Sequence, residues 1–169
     1  MKKIHALGLA VLVIAVIGVI LNLSSRTPAY DLQLAEGDTI ASWTFKGAYS
    51  GNAELEARAH NEIERLEKLI GSGEHTDYTL FVSIANQYEL LGNGEEVLSY
   101  LKYALASDSE TTGLAWHNAG QLFRRLGALN TAHMAFEKAA TVQPIDQYVG
   151  ALEDFLKEYF PGETSTLGA

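Results

Sequence analysis

The most constraining feature of this sequence is a pattern that occurs twice, with an offset of 35 residues. Each copy has an aromatic residue, a small residue four positions later, a second aromatic residue three positions after that, and a glycine after four more. These positions are Phe81, Ala85, Tyr88 and Gly92 in the first copy, and Trp116, Gly120, Phe123 and Gly127 in the second. A small residue lets a second helix approach closely, the aromatic rings fill the space between helix pairs, and glycine makes the turn. The pattern therefore predicts two helix–turn–helix units.

The second copy, residues 113–146, resembles the tetratricopeptide repeat (TPR), a helix–turn–helix unit of about 34 residues. The residues at its signature positions are Trp116, Gly120, Phe123, Gly127, Ala132, Phe136, Ala139 and Pro144. The first copy, residues 78–112, is a weaker match that retains Ile84, Ala85, Tyr88, Gly92, Leu101 and Ala104. Val97 and Ser109 stand where alanine and proline are usual, as Ala119 stands in the second copy where leucine is usual.

Amphipathic helices flank the two repeats. Apolar residues recur at three- and four-residue steps over residues 52–71 and again over 146–160, which predicts one helix on each side. Asp77 is expected to cap the helix that begins the first repeat. The predicted fold is all-α: a short TPR-like helical-hairpin solenoid of about six helices over residues 52–160. Helix 146–160 is its solvating cap, and residues 161–169 form a flexible tail.

The N-terminal segment predicts one transmembrane helix before this domain. Residues 6–21 are all apolar or glycine, and the run extends through Leu23 after Lys2 and Lys3. We expect a cytoplasmic stub at 1–5, an anchor at 6–23 in the cytoplasmic membrane and an extracytoplasmic domain. The alternative is a signal peptide that is cleaved after Ala29.

Residues 24–51 lack helical periodicity. Trp43 and Phe45 alternate with Ser42, Thr44 and Lys46, a period of two that is typical of extended chain. One interpretation is a tether between membrane and domain. The other is an extended arm whose aromatic rings dock onto the helices.

Charge and composition exclude several function classes. Residues 1–23 hold two basic and no acidic residues, so the net charge of −9 becomes −11 without them. Nucleic acids and anionic membrane surfaces attract basic patches and are therefore not expected partners. The chain has no cysteine, and it contains no phosphate-binding loop, HExxH or GxSxG motif. We expect no enzymatic activity, no cofactor and no metal.

The TPR resemblance implies a groove for a protein or peptide partner, lined by the first helix of each repeat. Carried over by position, the groove residues are Thr79, Val82, Asn86, Glu89, His117, Gln121, Arg124 and Arg125. Arg124 and Arg125 suit an acidic segment, because guanidinium binds carboxylate in a bidentate way. The alternatives are that these arginines only form a solvated helix end, or that the arm occupies the groove.

The predicted function is a membrane-anchored interaction module, a scaffold or assembly factor on the extracytoplasmic face. One alternative is a secreted or periplasmic peptide-binding protein, released by signal cleavage. Another is a structural accessory subunit of a membrane complex.

Overall fold

The computed structural model describes residues 29–163. Six α-helices follow one another: α1 Ala53–Leu69, α2 Asp77–Leu91, α3 Gly94–Ser107, α4 Leu114–Leu126, α5 Leu129–Val142 and α6 Asp146–Tyr159. Residues 29–163 contain no strand beyond two isolated bridges, so the all-α class and the six helices are confirmed. In this range no helix has the length and apolarity that a membrane crossing requires. The predicted stub at 1–5, the anchor at 6–23, and residues 24–28 and 164–169 lie outside the described residues.

The helix ends follow the turn residues. Gly92 and Gly127 end α2 and α4 with φ of 80° at both positions, a left-handed conformation that glycine adopts without strain. Pro144 comes just after the end of α5. The expectation for Asp77 is wrong: Thr76 caps α2 by accepting from the Thr79 amide at 3.2 Å. Asp77 is instead the first helical residue, and its carboxylate accepts from the Gly71 amide at 2.8 Å.

Each helix packs against the next one in the chain, and α2–α3 and α4–α5 form two hairpins. Gly120 lies where α4 meets α5, as predicted, because a Cβ added there would fall 2.8 Å from ring atoms of Phe136. The Phe136 ring is buried and has Phe155 of α6 as a neighbour at 5.1 Å between centroids. Gly120 therefore sets the distance between the two helices of the second hairpin.

The arm, which we define as residues 29–51, is docked on the helices. Its backbone forms hydrogen bonds from Tyr30 N to Lys102 O at 3.0 Å, and from Phe45 N to Gly92 O at 3.0 Å. The Gly94 amide in turn donates to the carbonyl of Trp43 at 2.7 Å. Trp43 and Phe45 are half-buried while Ser42, Thr44 and Lys46 are exposed. Of the two interpretations of segment 24–51, the structure shows the docked arm for residues 29–51.

Asp38 of the arm caps helix α5. The N-cap residue of α5 is Ala128, which has no side chain for this role. The Asp38 carboxylate accepts from the Thr131 amide at 2.7 Å, the Thr131 hydroxyl at 2.6 Å, and the Asn130 amide at 3.3 Å. Burial raises the pKa of Asp38, but these hydrogen bonds outweigh it and hold the pKa below the ordinary value of 3.8. The arm thus supplies a cap that the helix lacks.

Candidate binding groove

Helices α2 and α4, the first helices of the two hairpins, lie side by side and run in the same direction. At their N-terminal ends the Ala115 amide donates to the Tyr78 hydroxyl at 2.9 Å. Near their middle the Asn118 side chain donates to the Asn86 side-chain oxygen at 3.1 Å. At their C-terminal ends Arg125 pairs with Glu89 at 3.2 Å. Two hydrogen bonds and an ion pair therefore connect α2 and α4 at their N-terminal ends, their middle and their C-terminal ends.

The eight predicted groove residues differ in accessibility. The exposed ones are Thr79, Asn86, Arg124 and Arg125, the half-buried ones are Glu89, His117 and Gln121, and Val82 is buried. Val82 is 3% exposed and belongs to the hydrophobic core. Val82 therefore packs in the interior of the helical domain and is not accessible in this structure, and its assignment to a groove stays a prediction.

His117 occupies the position equivalent to Val82 in the second repeat, and it too faces the interior. Its ring lies 5.6 Å from that of Phe136 on α5 and 5.2 Å from that of Tyr148 on α6. Its Nδ1 atom is buried without a hydrogen-bond partner. Burial, and secondarily the positive charge of Arg124, lower the pKa of His117 below its usual value of 6.5. His117 thus packs where α4 meets α5 and α6.

One residue later, the polar side chains of Ser83 and Asn118 are half-buried. These two residues are 35 positions apart, so they are equivalent in the two repeats. Ser83 lines a cavity between α1 and α2 and Asn118 bonds to Asn86. Sequence reasoning missed both, although the polar side chains at equivalent positions were a usable signal.

The cavity between α1 and α2 has a volume of about 330 Å³. It is lined by Glu62, Arg65, Leu66, His75, Thr79, Leu80, Ser83, Asn86 and Gln87. Glu62 and Arg65 form an ion pair at 2.7 Å, so their charges offset each other at one wall. The cavity extends the polar face of α2 and α4 onto α1, a helix that the predicted groove did not include.

The two adjacent arginines have different surroundings. Arg125 lies 4.8 Å from the centre of the Phe45 ring and also pairs with Glu89. Arg124 is exposed in the last turn of α4, where a positive charge interacts favourably with the helix dipole. Arg125, one of the two arginines that we predicted to bind an acidic partner, therefore contacts the arm instead.

The arm forms hydrogen bonds with both second helices of the hairpins and with the C-terminal end of α2, and its Tyr30 and Phe45 rings contact α4. Its hydrogen bonds reach the Lys102 carbonyl of α3, the N-terminus of α5 and the turn between α2 and α3. These bonds and the cation–π contact include one of the eight predicted groove residues, Arg125. The docked arm thus leaves the described polar face of α2 and α4 accessible at Thr79, Asn86 and Arg124.

Among residues 29–163 no group of three or more histidine and acidic side chains is placed to hold a metal ion. A scan of protein-family models found no match to the chain, and searches of curated proteins and of solved structures found none. The TPR resemblance therefore depends on the repeated residues themselves.

Proposed function

We propose that this protein is a non-enzymatic, membrane-anchored interaction module, a scaffold or assembly factor of TPR type. The observation that carries the proposal is the polar face of α2 and α4. Thr79, Asn86 and Asn118 present neutral hydrogen-bonding groups on two parallel helices, which suits a protein or peptide segment with polar main-chain groups. Both repeats contribute to this face, as the resemblance implies.

We assign the acidic group of the partner to Arg124. Its guanidinium is exposed, whereas that of Arg125 has Glu89 and Phe45 as neighbours. The chain carries a net charge of −9, so an acidic segment is repelled over most of the surface. Arg124, which has no ion pair among the described residues, lies at the end of the polar face and favours one orientation of the bound segment.

Residues 6–23 supply the membrane anchor in this proposal, with the N-terminus inside and the helical domain on the extracytoplasmic side. Lys2 and Lys3 before the apolar run support this orientation. Carbonate washing should leave the protein in the membrane pellet, and protease added outside spheroplasts should digest the helical domain. A soluble mature protein that starts at Tyr30 would instead support the secreted peptide-binding alternative.

The binding test begins with affinity capture of the full-length protein from membranes in mild detergent and identification of what binds. Arg124→Glu should weaken binding of the captured partner at least about tenfold, or about 1.4 kcal/mol. Lys138→Glu is the matched control, because Lys138 is exposed on α5 and away from the polar face. The loss should shrink at high salt, since exposed charges are screened.

Two results would count against the proposal. Equal effects of Arg124→Glu and Lys138→Glu would mean that the contact depends only on overall charge. A partner that stays bound in fixed stoichiometry through both reversals would favour the structural-subunit alternative.

A further inference from the structure

The side of the domain that carries the arm has a surface that the groove does not use. The chain enters the described structure there, at Ala29 and Tyr30, a few residues after the predicted anchor 6–23. We infer that this arm-bearing side lies against the lipid bilayer and that the polar face of α2 and α4 is directed away from it. The inference rests on the proposed membrane anchor and adds to it the orientation of the domain.

Tyr30 is the point at which the domain is attached. Its amide donates to the Lys102 carbonyl of α3 at 3.0 Å, and its ring meets that of Trp116 edge-on at 5.3 Å. The arm is therefore fixed to the helices from Tyr30 onward. The free length between anchor and domain is only the stretch from Leu23 to Tyr30.

That length limits how the domain sits. Seven residue steps reach at most about 25 Å when fully extended. Two packed helix layers are about 20 Å thick, and the headgroup layer adds about 5–8 Å. Tyr30 is attached where α3 meets the Trp116 ring of α4. If the polar face pointed at the bilayer, the chain between Leu23 and Tyr30 would have to span both the domain and the headgroup layer, a distance that takes up all of its extended length. With the arm side toward the bilayer, it has to cross only the headgroup layer.

The exposed apolar side chains support the same orientation. Three large apolar residues are exposed in the described part of the chain: Leu34 at 39%, Met134 at 45% and Ile145 at 40%. Leu34 and Met134 belong to the region where the arm crosses α5, because the Ala35 amide bonds to the Thr131 hydroxyl at 2.9 Å. In the inferred orientation, Leu34 and Met134 lie on the side of the domain that faces the headgroup layer.

A cavity of about 480 Å³ lies beside the attachment point and is lined by Ala29, Trp43, Glu95, Leu98, Ser99 and Lys102. Its walls combine the rings and methyl groups of Trp43 and Leu98 with one cation and one acid. This mixture suits the boundary between headgroups and water, where aromatic rings and lysine side chains are favoured. The expected lipid is zwitterionic, because the protein is acidic overall.

Single introduced cysteines test the inference, because the chain contains none of its own. Met134→Cys and Leu34→Cys place a fluorophore on the arm side, and Asn86→Cys places it on the polar face. All three positions are exposed, so labelling does not require unfolding. The labelled full-length protein is reconstituted in phosphatidylcholine vesicles that contain nitroxide lipid with the spin label near the headgroup.

We expect the nitroxide to cause a loss of fluorescence at positions 134 and 34, and none at position 86. Equal loss at all three positions, loss at 86 alone, or no loss anywhere would overturn the orientation. Carbonate washing of the same vesicles separates the two proposals. Protein that resists washing but shows one of these patterns refutes the orientation and leaves the anchor intact. Protein that washes off refutes the anchor, and the orientation with it.

Discussion

Substitution of Gly120 by alanine tests whether the second hairpin is as tightly packed as the structure shows. The added Cβ would fall 2.8 Å from the Cδ1 and Cε1 atoms of Phe136. The ring is 1% exposed and has His117 at 5.6 Å and Phe155 at 5.1 Å as neighbours, so it has little room to move. Either the ring or helix α4 must therefore shift.

Two opposing effects set the size of the change. Alanine is more favourable than glycine in a helix interior by about 0.8–1 kcal/mol. Overpacking of a tight core contact costs about 1–3 kcal/mol. The free energy of unfolding of Gly120→Ala should therefore fall by up to about 2 kcal/mol, and that of Gly120→Leu should fall further.

Gly150 offers a matched control in the interior of α6. A Cβ added there meets nothing within 4 Å. Gly150→Ala should gain the helix preference without the contact and raise the free energy of unfolding by about 0.5–1 kcal/mol. The two substitutions are chemically identical, so their difference of about 1–3 kcal/mol isolates the packing contact.

The assay is urea unfolding of the full-length protein in mild detergent, followed by the fluorescence of Trp43 and Trp116, with linear extrapolation to water. Gly120→Ala should cost less in a Phe136→Leu background than in the wild type, because the ring that the Cβ meets is then absent. If Gly120→Ala stabilises the protein as much as Gly150→Ala does, the α4–α5 contact is loose and the argument is refuted.

Three further predictions concern the arm and the repeat packing. Asp38→Ala removes the α5 cap and should lower the free energy of unfolding by about 0.5–2 kcal/mol at neutral pH. Because the folded-state pKa of Asp38 lies below 3.8, the advantage of the wild type should be complete above that value and disappear as the pH falls through the folded-state pKa. An equal difference in urea unfolding at pH 7 and at pH 2 would contradict this. Gly47→Ala should release the arm near the α2–α3 turn, since an added Cβ would overlap the main chain of Leu90 and Gly92. Faster amide hydrogen exchange at residues 43–49, with α5 unchanged, is the expected result, and unchanged exchange would show that the arm yields without undocking. Ala139→Leu inserts a larger side chain at a position with 0% exposure and should cost about 1–3 kcal/mol in urea unfolding; an unchanged midpoint would mean that the neighbouring helices accommodate it.

The local features of this fold could be predicted from the sequence because they depend on residues that are close in the chain. The three- and four-residue spacing of apolar positions predicts the helices, since it places them on one face of a helix with 3.6 residues per turn. Gly92 and Gly127 mark the turns through their left-handed φ. Gly120 and the equivalent Ala85 are both small, which predicted that α4 and α5 approach closely at Gly120.

The accessibility of the individual groove positions could be predicted less well, and Val82 is the one of the eight that is buried. Val82 and Ser83 differ by 100° around the helix axis, about the angle that separates the core from the accessible face. The TPR resemblance indicated which positions are equivalent in the two repeats. It could not show that the His117 ring contacts Tyr148 of α6, or that Arg125 pairs with Glu89 and contacts the Phe45 ring. These contacts join residues from different elements and leave no periodic signal in the sequence.

The arm shows most clearly what only the tertiary structure decided. Its period-two pattern predicted extended chain and left open whether the chain was docked. Asp38 and Thr131 are 93 positions apart, and nothing local to either residue indicates that one caps the helix of the other. The sequence by itself determined which residues form helices and where the helices turn, because those choices depend on backbone conformation and local spacing. The tertiary structure decided which α5 donors Asp38 satisfies and which side of the helical domain the arm covers, because both depend on groups that only folding brings together.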